Sequence, residues 1–296
     1  MRAVWLLCLG LGAFAPGARA GCPPTGWSAE RLQELKAEKF VLEDGAERTR
    51  LANGLLDCLA APDPALRDGI AFEAWTTWLR ADELDEPTRR AALQRLQAQL
   101  AGAGDGAGFL QPFSALVLAE LARTDRRQAW LSPAERGALV EASARYVESV
   151  RDYRGFAAGE GWRHGVAHGA DLLMQLALNP ALDKAQLDRI LAAVAAQVAP
   201  GGHAYVFGEP ERLGRPVLFA AVRALHTEAE WTQWLEKVAE APPGGWDQVF
   251  VDGKGLARRH DVRAFLLGLY AQARDSTVPG VQLLLPGLRA QLEKVP

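Results

Sequence analysis

Apolar residues recur along this chain at spacings of three and four, the repeat of an amphipathic helix rather than the alternation of a strand. The pattern predicts helices over 29–40, 65–80, 46–60, 87–101, 109–124, 162–178, 212–225 and 258–273, with others opening after Ser132, Asp183 and Thr227. Their starts are written in capping chemistry. Ser28 opens the first helix, and Asp63-Pro64 places an N-cap before a proline whose missing N–H costs nothing there. Ser132 with Glu135, and Thr227 with Glu230, have the spacing of capping boxes. Asp183 caps the run AQLDRILAAVAAQV. Only 206–213 (VFGEPERL) and 250–257 (VFVDGKGL) carry the chemistry of short extended pieces. About a dozen helices with short connections predict an all-α protein of one domain. Their comparable lengths suggest an α-α solenoid of the HEAT or armadillo kind, although no strict sequence repeat is present. The stretch AGAGDGAG at 101–108 reads as a flexible connector. Its glycines follow no strand, which excludes a dinucleotide loop.

The first twenty residues read differently. A short positive start, an apolar run and Ala18-Arg19-Ala20 form a secretory leader with its cleavage site, leaving 21–296 as the mature chain. Cleavage removes Arg2 and Arg19 and takes the net charge from −3 to about −5. With Arg and Glu interspersed, that balance excludes a nucleic-acid footprint. No later segment reaches transmembrane length. Export also gives the cysteines a meaning: Cys8 leaves with the leader, and Cys22 and Cys58 remain as a candidate disulfide. A lipid-anchored or free Cys22 beside a buried Cys58 is the alternative. The expected location is the periplasm or the exterior of a bacterial cell.

Candidate chemistry is concentrated in GEGWRHGVAHGADLLMQLA, residues 159–177. On a helix over 162–178, His164, His168, Asp171 and Gln175 fall at i, i+4, i+7 and i+11, one stripe, with Trp162 on the opposite side. Polar faces elsewhere in the chain are Glu, Lys, Arg and Gln. Imidazoles, a carboxylate and an amide ligate and hydrogen-bond well but solubilise poorly. Three readings are open: a divalent-metal site at His164, His168 and Asp171, a groove for a polar ligand, peptide or envelope protein, and a buried network between helices. Gly165 stands where H-E-x-x-H needs its glutamate, so a zincin-type base is absent. His260-Asp261 reads as a helix-surface pair, His203 as a loop residue and His226 as lying near a helix C-terminus. There is no G-x-S-x-G, P-loop or C-x-x-C.

Arg154-Gly155-Phe156, Gly161-Trp162, His164 and the run from Ala167 to Leu173 resemble the bacterial family called domain of unknown function 2785. Leu66-Arg67-Asp68, Phe72, 113–116, Gly208-Glu209 and 211–213 fit the same pattern, so the resemblance spans roughly 60–225. It implies an all-helical domain and makes the histidine block the place to look, and it implies no reaction. Ahead of that block, glycines flank the connector FAAGE and let the chain turn tightly. Asp152 and Arg154 are placed to reach backbone groups at the helix start. Asp152 or Glu160 would be the further carboxylate of a metal site. The expected function is binding or scaffolding through a polar groove, with a metal-dependent hydrolase on the same residues as the alternative.

Overall fold

The structure, a computed structural model, describes residues 21–296. The expected leader, its cleavage site and Cys8 lie outside the described residues. The chain opens with α1 (Ala29–Ala37) and α2 (Gly45–Leu55), followed by a 3-10 turn at Asp57–Ala60. A short α3 (Pro64–Leu66) passes through a π-helical turn (Arg67–Phe72) into α4 (Glu73–Arg80). Next come α5 (Glu86–Ala101), α6 (Leu110–Arg127) and α7 (Pro133–Ser149). A small antiparallel hairpin, β1 (Phe156–Ala157) with β2 (Gly161–Trp162), precedes α8 (Gly165–Ala177). The remainder is α9 (Lys184–Val198), α10 (Glu209–Val222), α11 (Glu228–Val238), a 3-10 turn at Trp246–Phe250, α12 (Gly253–Arg274), α13 (Pro279–Gln282) and α14 (Leu285–Lys294).

The capping chemistry acts as its residue types dictate. Ser28, Asp63 and Asp183 each accept a hydrogen bond from an amide of the first turn they open. Ser132 and Thr227 complete reciprocal boxes with Glu135 and Glu230. The two extended pieces expected at 206–213 and 250–257 are not strands. Pro210 in the first turn lets α10 begin at Glu209, and Asp252 caps α12 through the Gly255 amide. Among the described residues the strands lie instead at the FAAGE connector, where Phe156 pairs with Trp162 and Ala157 with Gly161.

Helices two apart in sequence are neighbours in space. α6 packs on α8, α8 on α10 and α10 on α12, while α5 packs on α7, α7 on α9 and α9 on α11. The two rows meet along α5/α6, α7/α8 and α9/α10, and one continuous apolar core runs from Leu32 to Val295. Alternation of this kind sends the connections to opposite ends. Those at 81–85, 128–132, 178–183 and 223–227 are short; those at 102–109, 150–164, 199–208 and 239–252 are long.

Each end is laced together by side chains reaching between connections. At the short end, Arg90 donates to the Trp130 carbonyl at 2.7 Å and Arg223 to those of Asn179, Pro180 and Leu182. At the long end, Arg67 reaches the Glu160 carbonyl, Arg163 that of Ala107, and Tyr205 donates its amide to Asp261. Cys22 and Cys58 lie at disulfide distance, with Cα atoms 5.1 Å apart, and tie the N-terminal arm to the first 3-10 turn. Among the described residues no helix is long and apolar enough to cross a membrane.

Candidate functional site

The histidine block sits at the long end, where α8 begins. Its helix starts at Gly165, later than the periodicity predicts, so Trp162 belongs to β2 and His164 is the N-cap. His164 takes the left-handed conformation, φ 56° and ψ 41°, a strained setting for a residue with a Cβ. That turn aims its ring toward the 199–208 connection. Nε2 lies 3.1 Å from the Phe207 carbonyl and 3.5 Å from Glu209 Oε1. Burial raises the Glu209 carboxyl, but the hydrogen bond with His164 and the backbone amides outweigh it and leave its pKa below the usual value. The same carboxylate accepts the Phe207 amide at 2.9 Å.

The rest of the stripe faces helices rather than water. His168 is buried edge-on to Phe113 of α6, with ring centroids 5.3 Å apart, and its Nδ1 has no partner. Burial, with the neighbouring His164 and the Arg212 cation, holds its pKa well below the ordinary imidazole range. Asp171 forms a two-pronged ion pair with Arg212 of α10, Nε at 2.7 Å. Burial lowers the Arg212 pKa to about 10. Gln175 accepts from Arg126 of α6 at 3.3 Å. The polar stripe therefore splits, His164 and Asp171 reaching α10 while His168 and Gln175 reach α6.

That split bears directly on the expected metal triad. His164, His168 and Asp171 do not converge, because the Asp171 carboxylate is turned to a guanidinium instead of to the imidazoles. Asp152 and Glu160, the reserve carboxylates, are paired with Arg154 and Arg163. Among the described residues, no three His, Cys, Asp or Glu side chains form a group able to hold a metal ion. His168→Ala is expected to cost about 2–3 kcal/mol of stability through the space it opens against Phe113, by the same amount with and without a chelator. A chelator that lowers the melting temperature of the wild type but not of this variant would return the metal reading.

Open surface lies next to the stripe. A cleft of about 740 Å³ runs between the 150–164 and 199–208 connections. One wall is aromatic. Phe156 is 52% exposed, Trp162 packs on it and stacks on His164 at 4.6 Å, and Phe207 meets Trp162 edge-on. Gly155 is needed here, since a Cβ would strike the Phe207 ring. Tyr153, stacked on His203 at 4.9 Å, continues the wall. The cleft is also lined by Arg151, Asp152, Arg154, Glu160 and Arg163. Arg154 holds Asp152 through Nε at 2.8 Å and donates to the Ala107 carbonyl at 3.2 Å. A smaller cavity of about 210 Å³ continues beneath Gly104, Gly106 and Gly108.

A family model described as protein of unknown function (DUF2785) matches residues 96–271. The chain belongs to the DUF2785 family. The matched span runs from late α5 through most of α12, so it starts later and ends further on than the 60–225 read from the sequence. It takes in the whole histidine block and the cleft. No curated protein and no solved structure matches this DUF2785 chain.

The frame behind the cleft holds residues to which the sequence reading gave no role. Two guanidiniums close on the Phe109 ring, that of Arg67 at 3.9 Å and that of Arg163 at 4.3 Å. Arg67 lies in the π-helical turn with no exposure at all, yet donates to the carbonyls of Ala61, Pro62 and Glu160. Its neighbours in Leu66-Arg67-Asp68 look like an ordinary helix start, so nothing local reports the burial. Asp261 is also buried, contrary to a surface pair. It accepts the Tyr205 amide at 2.8 Å while His260 meets the Tyr205 carbonyl at 3.2 Å.

Burial pushes the Asp261 carboxyl up to about 6, against the Tyr205 hydrogen bond that lowers it. A carboxyl that binds its proton more tightly when folded favours the folded state fully below its unfolded pKa, near 3.8. That contribution is lost as pH rises through about 6. Asp261→Asn is expected to remove this slope, so the difference between wild-type and variant stability should change by about 2–3 kcal/mol from pH 4 to 8. Urea titrations across that range measure it, and parallel profiles would show that Asp261 titrates normally.

Proposed function

We propose that this DUF2785 protein is an exported, solenoid-like helical-repeat protein that binds a small polar ligand in the cleft at its long-connection end, in a binding or scaffolding role in the bacterial envelope. The observation that carries the reading is one cleft lined by both exposed aromatic rings and charged side chains, over a buried frame of hydrogen-bonded polar residues. The loops that line a binding site need a rigid scaffold beneath them. Here Arg67, His164, Glu209 and Asp261 hold three connections, at 61–63, 150–164 and 199–208, from below by their backbones. The histidine stripe thus serves as support for the cleft rather than as its surface. Packing of helices two apart supports the solenoid, and the Cys22–Cys58 pair together with the leader-like start supports export. A metal-dependent hydrolase would require Asp171 to leave Arg212, and no observation favours that.

Screening small polar compounds against the folded protein tests the reading. Binders are expected to protect amides of 150–164 and 199–208 from hydrogen exchange. Phe156→Ala, a surface change worth about 0.5 kcal/mol or less in stability, should weaken them at least about tenfold. Binders that protect only the short-connection end, or that ignore Phe156→Ala, would refute it.

A further inference from the structure

The chemistry of the cleft narrows what it takes. Its charged wall mixes signs. Asp152 and Glu160 stand among three arginines, so a polyphosphate would meet two carboxylates and a purely basic ligand three guanidiniums. Those carboxylates are oriented but not used up. Asp152 is fixed by Arg154, and Glu160 gives only Oε2 to Arg163, so free lone pairs remain for hydroxyl donors. Arg151 differs from its neighbours. It donates to the carbonyls of Glu148 and Val150 at 2.8 and 2.7 Å and has no carboxylate partner among the described residues. One cation without a carboxylate partner therefore stands among the hydroxyl-reading groups of the cleft.

The aromatic part of the lining is suited to a C–H surface. Phe156 is rigid because Trp162 packs on it and is itself stacked on buried His164, so little side-chain freedom is left to lose on binding. A face of axial C–H groups lies well on such rings. The volume, about 740 Å³, is in the range of small-molecule sites.

We propose that the cleft binds an acidic saccharide, with a pyranose ring against Phe156 and Phe207, hydroxyls on Asp152, Arg154 and Glu160, and the sugar carboxylate on Arg151. The inference rests on the cleft being the ligand site and adds the class of ligand. Isothermal titration and ligand-observed NMR with D-glucuronate, D-galacturonate and N-acetylmuramate are compared with glucose, galactose and N-acetylglucosamine. At least one acid should bind at least about tenfold more tightly than its neutral counterpart. Arg151→Gln should erase that preference while keeping weak binding of both, and Phe156→Ala should abolish both. Melting curves establish that the two variants are folded. Failure of all three acids, tighter binding of ATP than of any sugar, or an acid preference that survives Arg151→Gln would each overturn the saccharide. If non-saccharide ligands then bind and lose affinity in Phe156→Ala, the cleft reading stands and only the ligand class falls.

Discussion

Arg67→Met is expected to cost about 3–5 kcal/mol of folding stability, and Arg67→Lys nearly as much. The guanidinium is the one group that spans the carbonyls of Ala61, Pro62 and Glu160 at once while lying over Phe109 and pairing with Asp68 at 2.7 Å. Methionine fills much of the volume but donates nothing. Three carbonyls lose their donor, and Asp68, already raised by burial, loses the cation that offsets it. Lysine keeps the charge on a single point that cannot reach in three directions. Because Arg67 binds the first part of the chain to the β1–β2 hairpin, hydrogen exchange should accelerate at 156–162 more than in α14. Urea denaturation measures the cost, and a loss below about 1 kcal/mol would mean that the buried guanidinium is replaceable.

Cys22→Ser should lower stability by about 3–4 kcal/mol under oxidising conditions and by nothing under reducing ones. Closing a loop with a sequence separation of 36 removes that much disorder from the unfolded chain on the chain-entropy account. Cys22 is the better position to change, because Cys58 is wholly buried and its replacement would add a packing loss. Denaturation with and without a thiol reductant separates the two terms. A wild type indifferent to reductant would show that the pair is not bonded in solution. Recovery of Cys22 bearing a lipid would exclude the bond.

How much of this was legible in the sequence depended on range. Helix starts are local events, and Ser28, Asp63, Ser132, Asp183 and Thr227 act within three residues of themselves, so the caps could be read directly. The expected strands at 206–213 and 250–257 failed because Val-Phe pairs resemble strand chemistry while Pro210 and Asp252 decide for helix. The hairpin went unread since its pairing is only two residues deep on each strand. At the candidate site, periodicity found the stripe and the departure of its polar residues from the usual kind. It could not show that Asp171 would be taken by Arg212, forty-odd positions away, nor that Asp152 would be held by its near neighbour Arg154. Glu209 carries no local signature of burial, and for Arg67 and Asp261 the signal is weak. Charged residues at apolar positions of a predicted helix, such as Arg67 and Asp261, were the available hint.

Packing between helices two apart also sets an order on folding. α6 packs most extensively on α8, and α8 is covered on one side by α6 and on the other by α10, so each of these helices is completed by a segment forty or more residues further along the chain. A chain delivered from its N-terminus cannot shield α6 until α8 has followed, and cannot fix the His164 turn until Glu209 and Phe207 arrive. Burial of these helices therefore depends on contacts distant in sequence. During delivery, the apolar face of α6 needs shelter until α8 arrives.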